Sequence, residues 1–258
     1  MSITKLILNS VPRPWLIHLS YFIRPLLIWF YKGDQVTDPI DQRNFRSFLP
    51  YGYKQLRKGV LSPSTLSLER HRSLWLYLNK ETELLHSSAK IDLLHIAPEQ
   101  CFYSIFNKKE NINYTTFDLN SPLAEIHGDI TNLPFKENTF DCILCNHVLE
   151  HIENDSLAMK ELFRVMKPGG YGIVQVPMQP NRLKTYEDFS ISTAKERVKH
   201  FGQYDHVRWY GRDDYFIRLE SVGFTTQKIN VNEFFSKEEI GRYGLDVNEI
   251  IPVIQKPL

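Results

Sequence analysis

The sequence predicts an α/β fold with a doubly wound, mostly parallel sheet and helices on both faces. Short, nearly continuous apolar runs suit parallel strands buried on both faces, and they occur at residues 91–96, 114–117, 140–145 and 171–176. Between the last two runs, a helical apolar pattern begins at Asp155 and stops at the Lys-Pro-Gly-Gly sequence of residues 167–170. Strands that alternate with helices in this way predict a parallel sheet, and residues 225–231 are predicted to form a late strand.

Composition restricts the classes of function. The chain has 258 residues, with 31 basic and 30 acidic side chains and a net charge of +1. A nucleic-acid binder would normally carry a clear basic excess, so we expect no nucleic-acid partner. Three cysteines cannot all pair, which favours a reducing compartment and a cytoplasmic protein.

We predict two parts for the chain. Residues 1–85 are predicted to form an N-terminal helical extension, and residues 86–258 the α/β domain, with an insertion at about residues 178–212. Within the extension, an amphipathic pattern predicts a helix over residues 65–85. Its charged residues 69–72 are expected to form a solvated face or local ion pairs, with ligand contact as the alternative.

The N-terminal stretch combines positive charge with apolar residues. Residues 1–33 hold four basic and no acidic side chains, and an apolar run extends over residues 15–31. Arg24 and Pro25 interrupt that run, which argues against a membrane span. Three interpretations stay open: helices packed on the main domain, a dimer contact, or an interfacial helix that contacts the inner face of a membrane through residues 11–31. The sequence gives no oligomeric state.

Four positions in the extension are spaced as the ligands of a zinc ribbon would be. Asp38 and Asp41 form one pair with two residues between them, and Ser62 and Thr65 form another. Thiolates make such a structural zinc site tight, and none of the four residues is cysteine. We therefore predict a degenerate, cysteine-free ribbon segment without zinc.

The loop after the first predicted strand of the domain lacks glycine. No glycine occurs between Gly59 and Gly128, although a dinucleotide or triphosphate site needs glycines so that backbone amides can approach phosphates. This argues against NAD, FAD and ATP, and less against a nucleoside without phosphate. Glu99 could bind a cationic group of such a ligand, or it could simply be a first-turn helix acid.

Two more acids follow predicted strands. Asp118 comes about twenty residues after the first strand, a position that suits hydrogen bonds to ribose hydroxyls or, equally, a turn. Asp129 could accept a hydrogen bond from an adenine amino group, beside apolar surface from Ile130 and Phe135. Each signal is weak alone, and the order and spacing of the set carry the interpretation.

A histidine-rich motif follows the third strand. His147, Glu150 and His151 match the H-x-x-E-H pattern of inverted zinc proteases. That pattern needs a continuous helix so that both histidines face one metal, whereas here a strand ends directly before it and a new helix start follows at residues 153–155. We therefore expect no metal.

Residues 91–177 resemble a class I S-adenosylmethionine-dependent methyltransferase, most closely at residues 129–135, 138–150 and 161–177. The resemblance implies a Rossmann-like fold, S-adenosylmethionine as cofactor, and transfer of a methyl group. The cofactor-binding residues that it implies are Ala97 and Glu99 at the methionine part, Asp118 and Leu119 at the ribose, Asp129 and Ile130 at the adenine, and Asn146 and His147 beside the cofactor or acceptor.

The first loop departs from the family pattern. The family usually has an acidic residue and a glycine-rich turn where this chain has His95, Ala97, Glu99 and Cys101. The chain is similar to a bacterial subgroup with an Ala-Pro-Glu loop and cysteines at the four ribbon positions. By that resemblance, it is a member that has lost its zinc.

His147 and His206 are the candidate catalytic residues, since neutral imidazole can accept a proton near working pH. Both could instead make structural hydrogen bonds, as could His151. The aromatic-rich insertion is expected to form the pocket for a small or membrane-proximal acceptor. Two other functions stay open: a nucleotide-dependent or NAD-linked Rossmann enzyme, and a non-catalytic module that binds a membrane or protein partner.

Overall fold

A computed structural model describes residues 13–52, 56–179 and 181–258. The chain divides into two compact units. The first, here called the N-terminal unit, comprises the described residues up to 85 together with residues 100–102 and 231–249. The second, the sheet unit, comprises residues 86–99, the described residues of 103–230, and residues 250–258. The division predicted from sequence at residues 85 and 86 stays a prediction, and the structure adds that residues 231–249 group with the N-terminal segment.

Helices and strands cover most of the described chain. The helices are α1 (Arg13–Tyr31), α2 (Glu69–Glu81), α3 (Gln100–Phe106), α4 (Asp155–Val165), α5 (Ala194–Phe201), α6 (Asp214–Ser221), α7 (Val231–Phe234) and α8 (Lys237–Tyr243), and Leu149–His151 is a single 3₁₀ turn. The strands are β1 (Lys32–Asp38), β2 (Arg43–Phe45), β3 (Leu49–Tyr51), β4 (Arg57–Leu61), β5 (Ile91–Ile96), β6 (Ile112–Asp118), β7 (Ile126–His127), β8 (Phe140–Cys145), β9 (Met166–Ile173), β10 (Tyr186–Glu187), β11 (Arg208–Trp209), β12 (Thr225–Asn230) and β13 (Ile250–Gln255).

The sheet unit contains a seven-stranded sheet in the order β12-β13-β9-β8-β5-β6-β7. Only β13 runs antiparallel to its neighbours. The mostly parallel α/β fold predicted from sequence is therefore confirmed. Its first strand, β5, lies between β6 and β8, so the strand order reverses there. Sheets of this kind bind ligands in the crevice at the carboxyl ends of the strands beside such a reversal.

The central strands have the predicted bounds because their side chains are buried on both faces. Leu93 and Leu94 in β5, and Ile143 and Leu144 in β8, have no exposed surface. The fourth strand begins five residues earlier than predicted. Helix α4 ends at Val165, and the Lys-Pro-Gly-Gly sequence of residues 167–170 forms an irregularity within β9 instead of a loop before it.

Of the charged residues at the start of α2, Glu69, His71 and Arg72 are buried. The solvated face is therefore wrong, and the predicted alternative of an ion pair applies to Glu69. Arg72 has no exposed surface, and its guanidinium donates to the carbonyl oxygens of residues 60, 67, 243 and 244 at 2.6–2.9 Å. Glu69 is also buried and pairs with Arg57 at 2.7 Å. A guanidinium has five donors, and four carbonyls converge on this one in a way that no local sequence pattern shows.

Hydrogen bonds join three of the four ribbon-like positions of the N-terminal unit, namely Asp38, Ser62 and Thr65. The buried Asp38 Oδ2 accepts from Thr65 Oγ1 and from Ser67 Oγ, while Oδ1 accepts from the Ile40 amide at 2.9 Å. Ser62 Oγ lies 3.2 Å from Ser64 Oγ in the same segment. A buried carboxylate with three donors thus connects the segments that a metal would connect in a zinc ribbon.

Replacement of Asp38 by alanine is expected to lower the free energy of unfolding by about 2–4 kcal/mol, because the Thr65 and Ser67 hydroxyls lose their acceptor inside the protein. Guanidinium denaturation followed by circular dichroism measures the change. Glu83→Ala is the control, since that acid is exposed and lies in the same unit. Equal midpoints for the two variants would contradict the proposed role of Asp38.

Candidate functional site

Two turns at the carboxyl edge of the sheet have strained backbones. Ala97 follows β5 with φ of 51°, and His147 follows β8 with φ of 55°. A residue with a Cβ atom pays about 1–2 kcal/mol in this left-handed region, and such residues cluster at functional sites. The Ala97 amide donates to the Phe117 carbonyl at 2.8 Å, and the His147 amide donates to the Gln175 carbonyl at 2.7 Å. These bonds fix both turns at the carboxyl ends of β5 and β8, where the strand order of the sheet reverses.

Glu99 and Asn146, which the sequence predicted for one site, are in contact. Asn146 Nδ2 donates to Glu99 Oε1 at 3.0 Å, and Glu99 Oε2 is paired with His95 Nε2. Asn146 Oδ1 also accepts from the Gln175 amide at 3.3 Å. The side chain of Asn146 is buried. It thereby connects the loops after β5, β8 and β9.

Asp118 and Leu119 lie at the end of β6, next to β5. Asp118 Oδ1 accepts from the amides of Asn120 and Ser121 at 2.8 and 2.6 Å. Its Oδ2 has no hydrogen-bond partner among the residues that the structure describes. Leu119 is exposed, as expected for a residue that offers apolar surface to a ligand. One carboxylate oxygen is therefore available to a ligand hydroxyl.

Asp129 and Ile130 follow β7, the neighbour of β6. The Gly128 amide donates to the Asp118 carbonyl at 3.2 Å, so the two loops are adjacent. Asp129 is exposed, and its Oδ1 accepts from the Thr131 amide and hydroxyl at 2.8 Å. The Ile130 side chain packs in the hydrophobic core of the sheet unit.

The predicted catalytic histidines both border Glu150. His147 Nδ1 lies 3.3 Å from Glu150 Oε1, and ligand atoms of Glu150, His151 and His206 lie within 4.8 Å of one another. Burial would raise the pKa of Glu150, but the hydrogen bond from His147 and the charges of His147 and His151 lower it below its usual value. Burial lowers the pKa of His206, with partial opposition from Glu150. The site thus combines a buried carboxylate with a neutral imidazole.

The H-x-x-E-H motif does not form a helix, in agreement with the sequence prediction. Glu150 and His151 lie in the single 3₁₀ turn, and α4 begins only at Asp155. His147 and His151 are therefore not successive ligands on one helical face. The structure instead places His206, from the insertion, beside this turn.

Sequence reasoning missed Gln175, and it placed Arg208 only among the polar residues of the insertion expected to form the acceptor pocket. The Gln175 side chain has no exposed surface, and neither of its polar atoms has a hydrogen-bond partner in the described residues. Its position inside an otherwise apolar run was a usable signal. Arg208 is 1% exposed and donates to the carbonyls of Leu149 and Glu153. No local pattern distinguishes that arginine from the exposed ones nearby.

The family comparison agrees with this geometry. Residues 88–174 match a family model described as a methyltransferase domain. Residues 88–174 therefore correspond to a methyltransferase domain. The match extends from just before β5 to the end of β9. It therefore includes the strands and loops that contain Ala97, Glu99, Asp118, Asp129 and Asn146.

Curated relatives match this methyltransferase domain over short segments. An uncharacterized methyltransferase of Schizosaccharomyces pombe is 38% identical over 91 residues, which are 35% of this chain and 30% of that protein. A demethylmenaquinone methyltransferase of a Geobacillus species is 27% identical over 122 residues, which are 39% of this chain and 51% of that protein. The chain thus spans about half or less of the length of these relatives.

A solved structure has the same fold. A Galdieria sulphuraria protein described as a candidate sarcosine dimethylglycine methyltransferase aligns with a TM-score of 0.51 and 13% identity, and the alignment covers 89% of this chain and 96% of that one. At this identity the likeness concerns the fold alone.

Ala97→Gly is expected to keep or raise the free energy of unfolding, by up to about 1 kcal/mol, because glycine adopts positive φ without a Cβ clash. Ala89→Gly is the matched control. Ala89 lies in an exposed bend without positive φ, so glycine there adds only unfolded-state entropy and should destabilise by about 0.4–1 kcal/mol. Thermal or denaturant unfolding compares the two variants, and equal losses of stability would argue against strain at Ala97.

Proposed function

We propose that this chain is an S-adenosylmethionine-dependent methyltransferase that acts on a small or membrane-proximal acceptor. The observation that carries the proposal is the placement of Glu99, Asp118 and Asp129 after three adjacent strands, at one edge of a methyltransferase domain. The relatives' names support methyl transfer as the reaction class but do not identify the acceptor. The absence of a nucleic-acid partner stays a prediction.

The donor set fits the charge of S-adenosylmethionine. Carboxylates accept hydrogen bonds from hydroxyl, amino and ammonium groups, whereas they repel phosphates. No glycine-rich phosphate turn occurs between Gly59 and Gly128. At Gly128 a Cβ atom would lie 3.0 Å from the Phe117 ring, so the close approach of this loop to the sheet favours glycine. A phosphate-free nucleoside that carries an amino acid therefore suits these residues.

Each residue has a proposed role in binding. Asp118 Oδ2 would accept a hydrogen bond from a ribose hydroxyl, beside Leu119. Asp129 would accept a hydrogen bond from the adenine amino group, with Ile130 next to it. Ala97 and Glu99 would face the methionine part of the cofactor. Asn146 holds Glu99 in place. When bound, the cofactor supplies a methyl group on a positively charged sulfur.

The remaining residues of the site would orient the acceptor. Correct positioning of two reacting groups can lower a barrier by about 7–11 kcal/mol, so a methyltransferase needs little further chemistry from its side chains. His147 and His206 would accept a proton from an acceptor that carries one at the reacting atom. Both border the buried Glu150, whose negative charge stabilises an imidazolium.

Calorimetry with S-adenosylmethionine and S-adenosylhomocysteine tests the cofactor. We expect both to bind the wild-type chain, and Asp118→Ala to lower their affinity about tenfold or more through loss of a charge-assisted hydrogen bond. Asp188→Ala is the control, since that acid is exposed and its side chain bonds to its near neighbour Ser190. Unchanged affinity in a folded Asp118→Ala variant would refute the ribose assignment. Binding of NADH instead would favour the nucleotide-dependent alternative.

The exposed face of α1 supports contact with a membrane surface. Phe22, Leu26 and Trp29 have the i, i+4, i+7 spacing of one helical face and are 80%, 69% and 76% exposed. Among the described residues, no helix is long and apolar enough to cross a bilayer. With four basic and no acidic side chains in residues 1–33, this face suits an interfacial helix on anionic lipid.

Co-sedimentation with phosphatidylcholine vesicles that contain phosphatidylglycerol tests this contact. We expect the wild-type chain to sediment with the vesicles, and the Leu26→Glu/Trp29→Glu variant to lose most of its binding because charge replaces the inserted apolar surface. Leu183→Glu is the control, since that leucine is 63% exposed but lies in the sheet unit. Equal sedimentation of all three proteins would contradict the proposal. Vesicle binding without any cofactor binding would favour the non-catalytic alternative.

A further inference from the structure

Glu150, His151 and His206 form a cluster with the composition of a metal site. One ligand atom from each of the three side chains lies within 4.8 Å of the others. Ligands of one tetrahedral zinc ion lie about 3.4 Å apart, given metal–ligand distances of about 2.0–2.2 Å. Side-chain movements of about 1 Å would therefore bring these atoms to coordination distance. His151, with a side chain that is 28% exposed, can move by this amount more easily than its two buried neighbours.

The hydrogen bonds of His151 leave one ring nitrogen facing the carboxylate. Its Nδ1 lies 3.2 Å from the Asp205 carbonyl oxygen and 3.4 Å from Asp205 Oδ2, so the Nδ1 proton has acceptors. Its Nε2 lies 4.0 Å from Glu150 Oε1. In the neutral ring, the Nε2 lone pair and the carboxylate oxygen are both acceptors and repel each other. A carbonyl or carboxylate on the distal nitrogen is the usual arrangement for a metal-bound histidine.

Several polar atoms of this cluster are buried and unpartnered. Glu150 is 1% exposed and His206 is 7% exposed, and Glu150 Oε2 and His206 Nδ1 have no hydrogen-bond partner in the part of the chain that the structure describes. The same holds for His147 Nε2 and Asp205 Oδ1. A buried polar atom without a partner costs about 1–3 kcal/mol, and more if charged. The concentration of these atoms in one place points to a ligand that they bind.

The backbone around the cluster is held rigidly. The Val207 amide donates to the Glu150 carbonyl at 2.9 Å, which fixes His206 beside the 3₁₀ turn. The buried Arg208 guanidinium donates to the Leu149 carbonyl at 3.0 Å and to the Glu153 carbonyl at 2.8 Å, and it also bonds to the Ile152 carbonyl. The turn is therefore positioned before any ligand binds, as a metal site requires.

We propose that Glu150, His151 and His206 bind a divalent first-row transition-metal ion such as zinc or iron(II). Two imidazoles and one carboxylate are the donor set of catalytic zinc sites and of facial iron(II) sites, and both types keep open positions for a further ligand. His147, hydrogen-bonded to Glu150 through Nδ1, is an outer-sphere residue. This set replaces the sequence-derived trio of His147, Glu150 and His151, which was rejected because it needs a helix.

The open position on the ion gives the site a use that rests on the proposed methyl transfer. The loop that carries Glu150 begins at Asn146, whose amide contacts Glu99 of the cofactor-binding loop. An ion there would bind an oxygen atom of the acceptor and favour its deprotonated form. In the metal-bound protein His206 is a ligand and not a proton acceptor, so the proton would pass to Nε2 of His147. Metal binding itself does not depend on that reaction, so it can be tested without a cofactor.

Cobalt(II) is the probe, added to the full-length chain after chelator treatment and removal of any affinity tag. We expect about one equivalent to bind and produce visible absorption of a low-symmetry site, and zinc to displace it. His206→Ala should lower the affinity at least tenfold, whereas Asp205→Ala should lower it only a few-fold, because the Asp205 carbonyl oxygen beside His151 Nδ1 remains in that variant. Cobalt binding that is equally tight in wild type and His206→Ala would overturn the proposal, as would the absence of any stoichiometric binding.

Two further variants separate binding from folding and from adventitious histidine contacts. Glu150→Gln keeps the shape of the buried side chain but removes its charge, so it should remain folded by circular dichroism and lose cobalt affinity. His127→Ala removes an exposed histidine outside the cluster and should bind cobalt as the wild type does. If His127→Ala loses the cobalt signal and Glu150→Gln keeps it, the metal binds elsewhere. Calorimetry with S-adenosylmethionine is unaffected by either result, so failure of this proposal is distinguishable from failure of the proposed function.

Discussion

The hydrogen bonds of Asn146 hold the carboxyl edge of the sheet together. Its side-chain amide donates to Glu99 after β5, and its oxygen accepts from the backbone of Gln175 beyond β9. Parallel strands end at a common edge, but their loops would diverge without a connection. Asn146 lies at the point where the strand order reverses, so one buried amide connects the carboxylate of Glu99 with the backbone beyond β9. A polar network of this kind stabilises a unique arrangement only when its members are satisfied.

A buried arginine has the same function on each side of the chain's division into two units. Arg72 in the N-terminal unit and Arg208 in the sheet unit each donate to several backbone carbonyls, and both are almost fully buried. A guanidinium stays charged at any physiological pH and offers a planar array of donors. It can therefore satisfy carbonyls from chain segments that lack regular pairing. Arg208 does this for the turn that carries Glu150 and His151, which makes the irregular loop after β8 rigid.

The sequence predicted the strands that are buried on both faces, but it predicted less well the strands whose pairing is irregular. The strands β5 and β8 have the predicted bounds because burial on both faces requires continuous apolar runs. β13, in a tail without a clear pattern, was missed, and β9 begins early because residues 167–170 bulge within the strand. Glu99 and Asn146 could be assigned to one site since both directly follow central strands. Gln175 was missed although a polar residue inside an apolar run was a usable signal, and the role of Arg208 could not be predicted because it depends on tertiary contacts.

Two buried polar clusters in this protein differ in whether their polar atoms have hydrogen-bond partners. This difference indicates which cluster is structural and which binds a ligand. Asp38 in the N-terminal unit accepts three hydrogen bonds, so its cluster is complete without any ligand. Around Glu150, by contrast, carboxylate and imidazole atoms are buried without partners although Arg208 and Val207 fix the backbone beside them. A protein gains no stability from unpaired buried acceptors. Their persistence on a turn held by Arg208, next to the carboxyl edge of the sheet, is explained if the missing partner is supplied from outside the chain.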